Sequence, residues 1–181
     1  MNARNKRKSE ALIHPFQPVA DDNSKVLVLG SFPSVKSRET MFYYGHPQNR
    51  FWRVLAALFG EQVPQSVDGK TALLLKHHVA LWDVVSACDI LSSADSALTP
   101  LTFSDIASLL RKIQIRRVFA NGQKAGMLYR RHLEKETGMS ITILPSTSPA
   151  NAAWQLERLI TAWKPVGDAA GKQAVSGEEH L

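Results

Sequence analysis

Four short runs of aliphatic and β-branched residues constrain the fold of this chain most. They are Lys25-Val-Leu-Val-Leu-Gly30, Val79-Ala-Leu-Trp-Asp83, Arg116-Arg-Val-Phe-Ala-Asn121 and Ser140-Ile-Thr-Ile-Leu-Pro145. Each has a short, predominantly apolar stretch, as expected of buried parallel strands. Helical spacing fills the intervals between them. Phe51, Val54, Leu55, Leu58 and Phe59 recur at three and four. Ser104 is placed to cap a helix whose inner face is Ile106, Leu109, Leu110 and Ile113. Ala125, Leu128 and Tyr129 open another, with Lys124, Arg130, Arg131 and Lys135 at its polar positions. A last helix is expected from Ala150 to Trp163, turning Ala153, Leu156, Ile160 and Trp163 inward. Strands alternating with helices predict an α/β fold: a three-layer sandwich with a central four-stranded, mostly parallel sheet flanked by helices.

The 181 residues, 44% of them hydrophobic, suffice for one domain. We expect it to span residues 11–165. Residues 1–10, with Arg4, Lys6, Arg7 and Lys8, are expected to form a basic disordered arm, and residues 166–181 a disordered tail. Lys and Arg outnumber Asp and Glu by 22 to 16, a formal charge of +6. That excess suits a polyanionic partner and equally suits a mildly basic surface. No apolar run approaches the roughly 20 residues that cross a bilayer, and no secretory leader is expected. Cys88 is the single cysteine, which excludes an internal disulfide and any iron–sulfur cluster held by four thiolates of this chain. A reduced, cytoplasmic protein is the expectation, with no metal and no cofactor.

Every strand ends in polar or glycine-containing chain. The ends are Gly30-Ser31-Phe32-Pro33-Ser34, Asp83, Asn121-Gly122 and Pro145-Ser146-Thr147-Ser148-Pro149. Ligands of open parallel sheets bind beyond the carboxyl ends of the strands, so these four segments predict one shared rim. The long irregular stretch from Ser31 to Asn49 joins it, and loops of that length are usually functional. Phe42, Tyr43 and Tyr44 cannot all face one core. Either one ring sits at the rim, where it can stack on a base, or Phe42 and Tyr44 pack inward and Tyr43 is simply exposed.

Three segments carry a resemblance: Gly30-Ser-Phe-Pro-Ser34, Phe42-Tyr-Tyr-Gly-His-Pro-Gln-Asn-Arg-Phe-Trp52 and Leu144-Pro-Ser-Thr-Ser-Pro-Ala-Asn-Ala152. They resemble the signature motifs of the uracil-DNA glycosylase superfamily, most of all its hypoxanthine-DNA glycosylase branch, over roughly Ser24 to Trp163. The resemblance implies a monofunctional enzyme that flips a deaminated base out of DNA and hydrolyses its N-glycosidic bond. Hypoxanthine is the first expectation, with uracil or xanthine as alternatives. It also implies a DNA partner, base excision repair, and a monomer working as a bacterial-type nucleoid-associated protein. By the same resemblance, Asn49 is the catalytic amide. Tyr44 stacks on the flipped base, Asp83 reads its edge beside Ser31 and Phe32, and Ser146, Thr147, Ser148, Pro149 and Ala150 form the loop that enters the duplex. Two departures stand out. Phe32 occupies the slot where relatives carry Asn or Asp, and the His usual in the second motif is missing.

The residue types suit the chemistry. Breaking an N-glycosidic bond builds positive charge on the sugar and negative charge on the base, which calls for donors near the base and a positioned water. Asn49 can accept and donate but does not titrate usefully. An ionised Asp83 can accept from the ring N–H of hypoxanthine while backbone N–H groups serve its carbonyl. No lysine stands in the motifs, so no covalent sugar intermediate is implied. Other residues have plainer readings. His77 and His78 lack metal-ligand spacing, His46 suits a structural hydrogen bond, and Cys88 suits a buried thiol. Ser31 lacks a nucleophile elbow. Asn121 could read the base or cap the helix after it. Two rivals use the same rim: a damaged-DNA-binding module without turnover, favoured by Phe32, and a small-molecule α/β enzyme.

Overall fold

The computed structural model describes residues 11–90 and 98–171. Its elements in order are β1 (Ala11–Ile13), β2 (Val26–Gly30), α1 (Val35–Glu39), α2 (Phe51–Phe59), α3 (Val67–Lys76), β3 (Val79–Asp83), β4 (Val85–Ile90), β5 (Leu98–Phe103), α4 (Ile106–Lys112), β6 (Arg117–Asn121), α5 (Gln123–His132), α6 (Glu134–Thr137), β7 (Ile141–Leu144) and α7 (Leu156–Ala170). The four apolar runs are the four strands of one sheet, in the order β3-β2-β6-β7. All three pairings are parallel. The expected α/β architecture, a four-stranded parallel sheet flanked by helices, is the one observed.

Strand geometry explains why the central run, β2, is apolar throughout. Successive side chains point to opposite faces of the sheet. Val26 and Val28 of β2 enter one core with Phe51, Leu55, Leu159 and Trp163 of α2 and α7. Leu27 and Leu29 enter the other, with Ile106 and Tyr129 of α4 and α5. Both faces of β2 are covered, and none of its residues is exposed.

The register aligns the carboxyl ends. Gly30 pairs with Asp83, Leu29 with Ala120, and Asn121 with Leu144. The polar segments after the strands therefore share one rim.

Four features depart from the sequence expectations. A second, three-stranded antiparallel sheet, β1-β4-β5, was not foreseen. Its strand β4 follows β3 almost without a break, β1 comes from the start of the described chain, and its strands alternate too weakly to stand out. Helix α4 is capped by Asp105, whose side chain accepts from Ser108 N at 3.0 Å, and not by Ser104, whose buried hydroxyl has no partner. Helix α7 begins at Leu156, because the chain from 149 to 155 is turned and irregular. It then runs through Pro165 to Ala170, beyond the boundary expected at 165. A proline inside a helix removes one hydrogen bond. Here Trp163, Val166 and Ala170 continue the buried stripe at spacings of three and four, and that burial outweighs the missing bond. The expected arm at 1–10 and the rest of the expected tail, 172–181, lie outside the described residues. Among the described residues, no helix is long and apolar enough to cross a membrane.

Candidate active site

At the rim lies a cavity of about 190 Å³, lined among others by Gly30, Tyr44, Asn49, Asp83, Lys124 and Ser148. Ser31, Phe32, Asn121 and Ser146 also line it. All four strand ends and the long loop contribute, as their alignment required.

Asp83 is the buried carboxyl group of this cavity, 3% exposed. Its Oδ2 accepts from His14 Nε2 at 2.9 Å. The other nitrogen of His14, Nδ1, accepts from the main-chain N–H of Phe16 at 3.4 Å, which leaves the ring proton on Nε2 and aims it at the carboxylate. Burial pushes the Asp83 pKa up, and the bond to His14 pulls against that rise. Its other oxygen, Oδ1, lies against Gly30, where an added Cβ would stand 2.2 Å away. Only glycine tolerates that approach.

Of the three consecutive aromatics, Phe42 and Tyr43 are buried. Tyr43 donates to Gln17 O at 3.0 Å. Tyr44 is half-buried at the cavity, stacked on Phe51 with centroids 4.1 Å apart. The alternative with Tyr43 exposed is therefore reversed. Tyr44 holds a left-handed φ of 52°, a conformation that is costly for a bulky residue and typical of functional loops. Its buried hydroxyl makes no well-formed hydrogen bond, although the Asn121 side chain lies near enough to favour its ionised form slightly. Burial, with Asp83 nearby, pushes the phenol well above its usual range, so it stays protonated.

Asn49 is anchored at the mouth of α2. Its Oδ1 accepts from Phe51 N at 2.9 Å and from Thr147 Oγ1 at 2.9 Å. The following residue, Arg50, ties the first motif to the second. It donates to the carbonyls of Thr147 at 3.3 Å, Ser148 at 2.5 Å, Asn151 at 3.1 Å and Trp154. This clamp holds the turned chain ahead of α7.

The predicted loop does not act as one surface. Ser146 and Ser148 line the cavity and Ala150 is exposed, but Thr147 is wholly buried and faces inward. Asn121 brackets it: Nδ2 donates to Thr147 Oγ1 at 2.8 Å, and Oδ1 accepts from Thr147 N at 2.9 Å. Asn121 thus does not cap α5, whose cap position is Gly122. Phe32 packs edge-on to His14, with centroids 5.8 Å apart. His46 makes the expected structural bond, Nδ1 accepting from Gln48 N at 3.1 Å. His77 stacks on Phe59 and bonds Glu61, away from the site.

Sequence reasoning missed His14, Arg50 and Lys124. His14 stands 69 residues from Asp83 in sequence, and no spacing signals their pairing. Lys124, in the first turn of α5, is the basic residue of that helix at the cavity. Arg130 and Arg131 occupy the far end of α5, where Arg130 donates to Ile141 O at the start of β7. They lie away from the rim, so the phosphate contacts that their charge leads one to expect would fall away from the cavity.

The family model described as the uracil DNA glycosylase superfamily matches residues 17–166, most of the chain. The chain belongs to this superfamily. It is a DNA glycosylase of that fold, and all the cavity residues above lie within the matched span except His14. Two relatives are named hypoxanthine DNA glycosylase. The one from Methanosarcina acetivorans is 34% identical over 145 residues, 79% of this chain and 90% of its own. The one from Methanosarcina barkeri is 34% identical over 140 residues, 75% of this chain and 86% of its own. The solution NMR structure of a candidate uracil DNA glycosylase from Methanosarcina acetivorans superposes with a TM-score of 0.75 at 32% identity, covering 88% of this chain and 99% of that one. The glycosylase fold thus carries Phe32 at the slot where the resemblance led us to expect Asn or Asp, and the polar groups of its cavity come from elsewhere.

Proposed function

We propose that this glycosylase removes hypoxanthine from deoxyinosine in DNA as a monofunctional hydrolase of base excision repair. The observation that carries this reading is Asp83. A buried carboxylate, held from behind by His14 and turned toward the cavity beside Gly30, is an acceptor for a ring N–H. Hypoxanthine offers that N–H next to a carbonyl, and adenine, its parent, does not. Main-chain N–H groups at the rim are the proposed donors to the carbonyl. Tyr44 supplies a ring for the flipped base, and Asn49 supplies an amide near the bond that breaks. Ser146, Ser148, Pro149 and Ala150 face the duplex as the nucleotide leaves the stack, which requires unstacking worth a few kcal/mol. The names of the two Methanosarcina relatives support the choice of base. Uracil and xanthine share the N–H and carbonyl edge and are the alternatives. The protein acts as a cytoplasmic monomer.

As the C1′–N9 bond breaks, its electron pair passes to the purine and positive charge builds on the sugar. Water then adds to C1′ and releases a proton, and the base takes one up. The test is a panel of duplexes carrying hypoxanthine, uracil or xanthine, with alkali cleavage of the abasic product. Hypoxanthine should be excised fastest, and Asn49→Ala should slow single-turnover excision by about 10²–10³-fold with duplex binding intact. No abasic product from any duplex would make this a binding module. Because Lys124 also reaches the cavity, borohydride trapping checks the monofunctional assignment. A trapped protein–DNA adduct would refute it.

A further inference from the structure

The Asn49 amide is tied down on one edge only. Its carbonyl oxygen faces the main-chain N–H of Phe51, at 2.9 Å. A main-chain N–H cannot accept, so this bond settles which edge of the amide is oxygen. The second bond to that oxygen comes from the Thr147 hydroxyl, at 2.9 Å. The direction of this hydroxyl is set in turn. Asn121 Nδ2 donates to it at 2.8 Å, while Asn121 Oδ1 is occupied by Thr147 N at 2.9 Å. The Thr147 proton is left to point at Asn49. Donation therefore runs from Asn121 through Thr147 to Asn49 Oδ1, and both lone pairs of that oxygen are filled.

The opposite edge is open. Asn49 Nδ2 donates to no described residue, and it is not among the sealed polar atoms that lack a partner. Asn49 lines the cavity, so its two N–H groups are what the amide offers there. An amide in this state can donate and cannot accept.

We propose that Asn49 acts as a hydrogen-bond donor to the departing base, and that Thr147, bracketed by Asn121, is the positioning residue that enforces this orientation. The inference rests on the reading of Asn49 as catalytic. It differs from a role in which the amide accepts a proton of the attacking water, because that role needs a free lone pair on Oδ1. As the C1′–N9 electron pair moves onto the purine, the Nδ2–H bonds to a ring nitrogen or carbonyl oxygen of the base strengthen with the growing charge. The water that adds to C1′ loses its proton to solvent, and the base is protonated from solvent.

The two roles predict opposite pH behaviour for Asn49→Asp. A protonated carboxyl can donate, while a carboxylate can only accept. Other titratable or charged groups line the same cavity or adjoin Asn49: Asp83 from the end of β3 with His14 behind it, Tyr44 from its own loop, Lys124 from α5, and the neighbouring His46 and Arg50 along the chain. All are present in the wild type, so the readout is the ratio of mutant to wild-type single-turnover rates across pH. The donor role makes that ratio rise as pH falls, by about tenfold per unit above the pKa of the new carboxyl. Thr147→Val should slow excision about 10- to 100-fold through misplacement of the amide, and Thr147→Ser should restore it.

A rate ratio that rises with pH would overturn the donor role and leave Asn49 catalytic. Full activity in Asn49→Ala would instead remove Asn49 from the reaction and the inference with it. Equal rates for Thr147→Val and Thr147→Ser would overturn the positioning role. Should Thr147→Val fail to fold, the Asn49→Asp profile decides between donor and acceptor by itself.

Discussion

Replacing Asp83 by Asn separates recognition from folding. The shape is kept, and His14 Nε2 still finds a carbonyl oxygen to donate to at the Oδ2 position, now 2.9 Å away. The oxygen beside Gly30 becomes an NH₂ group, which opposes the ring N–H of hypoxanthine donor to donor. One hydrogen bond to a charged group is worth about 1.5–3 kcal/mol. At 1.36 kcal/mol per decade, its loss slows excision by about 10- to 150-fold. Stability should move the other way. Burial raises the Asp83 pKa, so its protonated form is the one that the fold prefers. That contribution is present at low pH and is lost as pH rises through the folded-state pKa. Neutral Asn escapes this loss, so Asp83→Asn should melt no lower than wild type at neutral pH, with the gap closing in acid. The assay pairs single-turnover excision of several bases with melting curves at three pH values. Equal slowing on every base, with a lower melting temperature, would refute base reading and make Asp83 a structural residue.

His14→Leu leaves Asp83 buried without its donor, so the acid limb of the hypoxanthine pH–rate profile should shift to higher pH, and its melting deficit should shrink as pH falls; an unmoved limb would separate His14 from Asp83. Arg50→Met removes the guanidinium bonds to the carbonyls of Thr147, Ser148, Asn151 and Trp154. It should lower stability by about 2–3 kcal/mol in denaturant unfolding and weaken capture of an extrahelical base more than binding of undamaged duplex. Lys124→Ala should make the slope of log affinity against log salt shallower by about 0.9, while Arg130→Ala with Arg131→Ala leaves it unchanged. The reverse result would place the DNA track along the far end of α5.

The main sheet was legible because its signal is local. A strand covered on both faces is apolar along its length, as Val26–Leu29 and Val79–Leu81 are; β6 and the edge strand β7 keep a recognisable apolar run around the exposed Arg117 and Thr142. Parallel pairing then had to bring their ends to one rim. The antiparallel sheet was not legible, since its strands mix polar and apolar residues without a clean alternation and β1 lies far from β4 and β5 along the chain. The end of α7 was misread for a related reason. Pro165 is a local stop signal, and only the packing of Trp163, Val166 and Ala170 against the sheet shows that the helix continues.

The candidate site divides along the same line. Strand ends and a long loop marked the rim in the sequence, and the resemblance to the glycosylase motifs singled out Asn49, Tyr44, Asp83, Ser31, Phe32 and the Ser146–Ala150 loop on it. What each of these side chains can do was decided by partners far away along the chain. His14 orients Asp83, Arg50 gathers the carbonyls before α7, and Asn121 turns Thr147 inward onto Asn49. Sequence determines which donors and acceptors exist and roughly which rim they share. Which lone pairs remain free depends on hydrogen bonds between residues 26 to 104 positions apart, and these form only when the sheet brings its ends together.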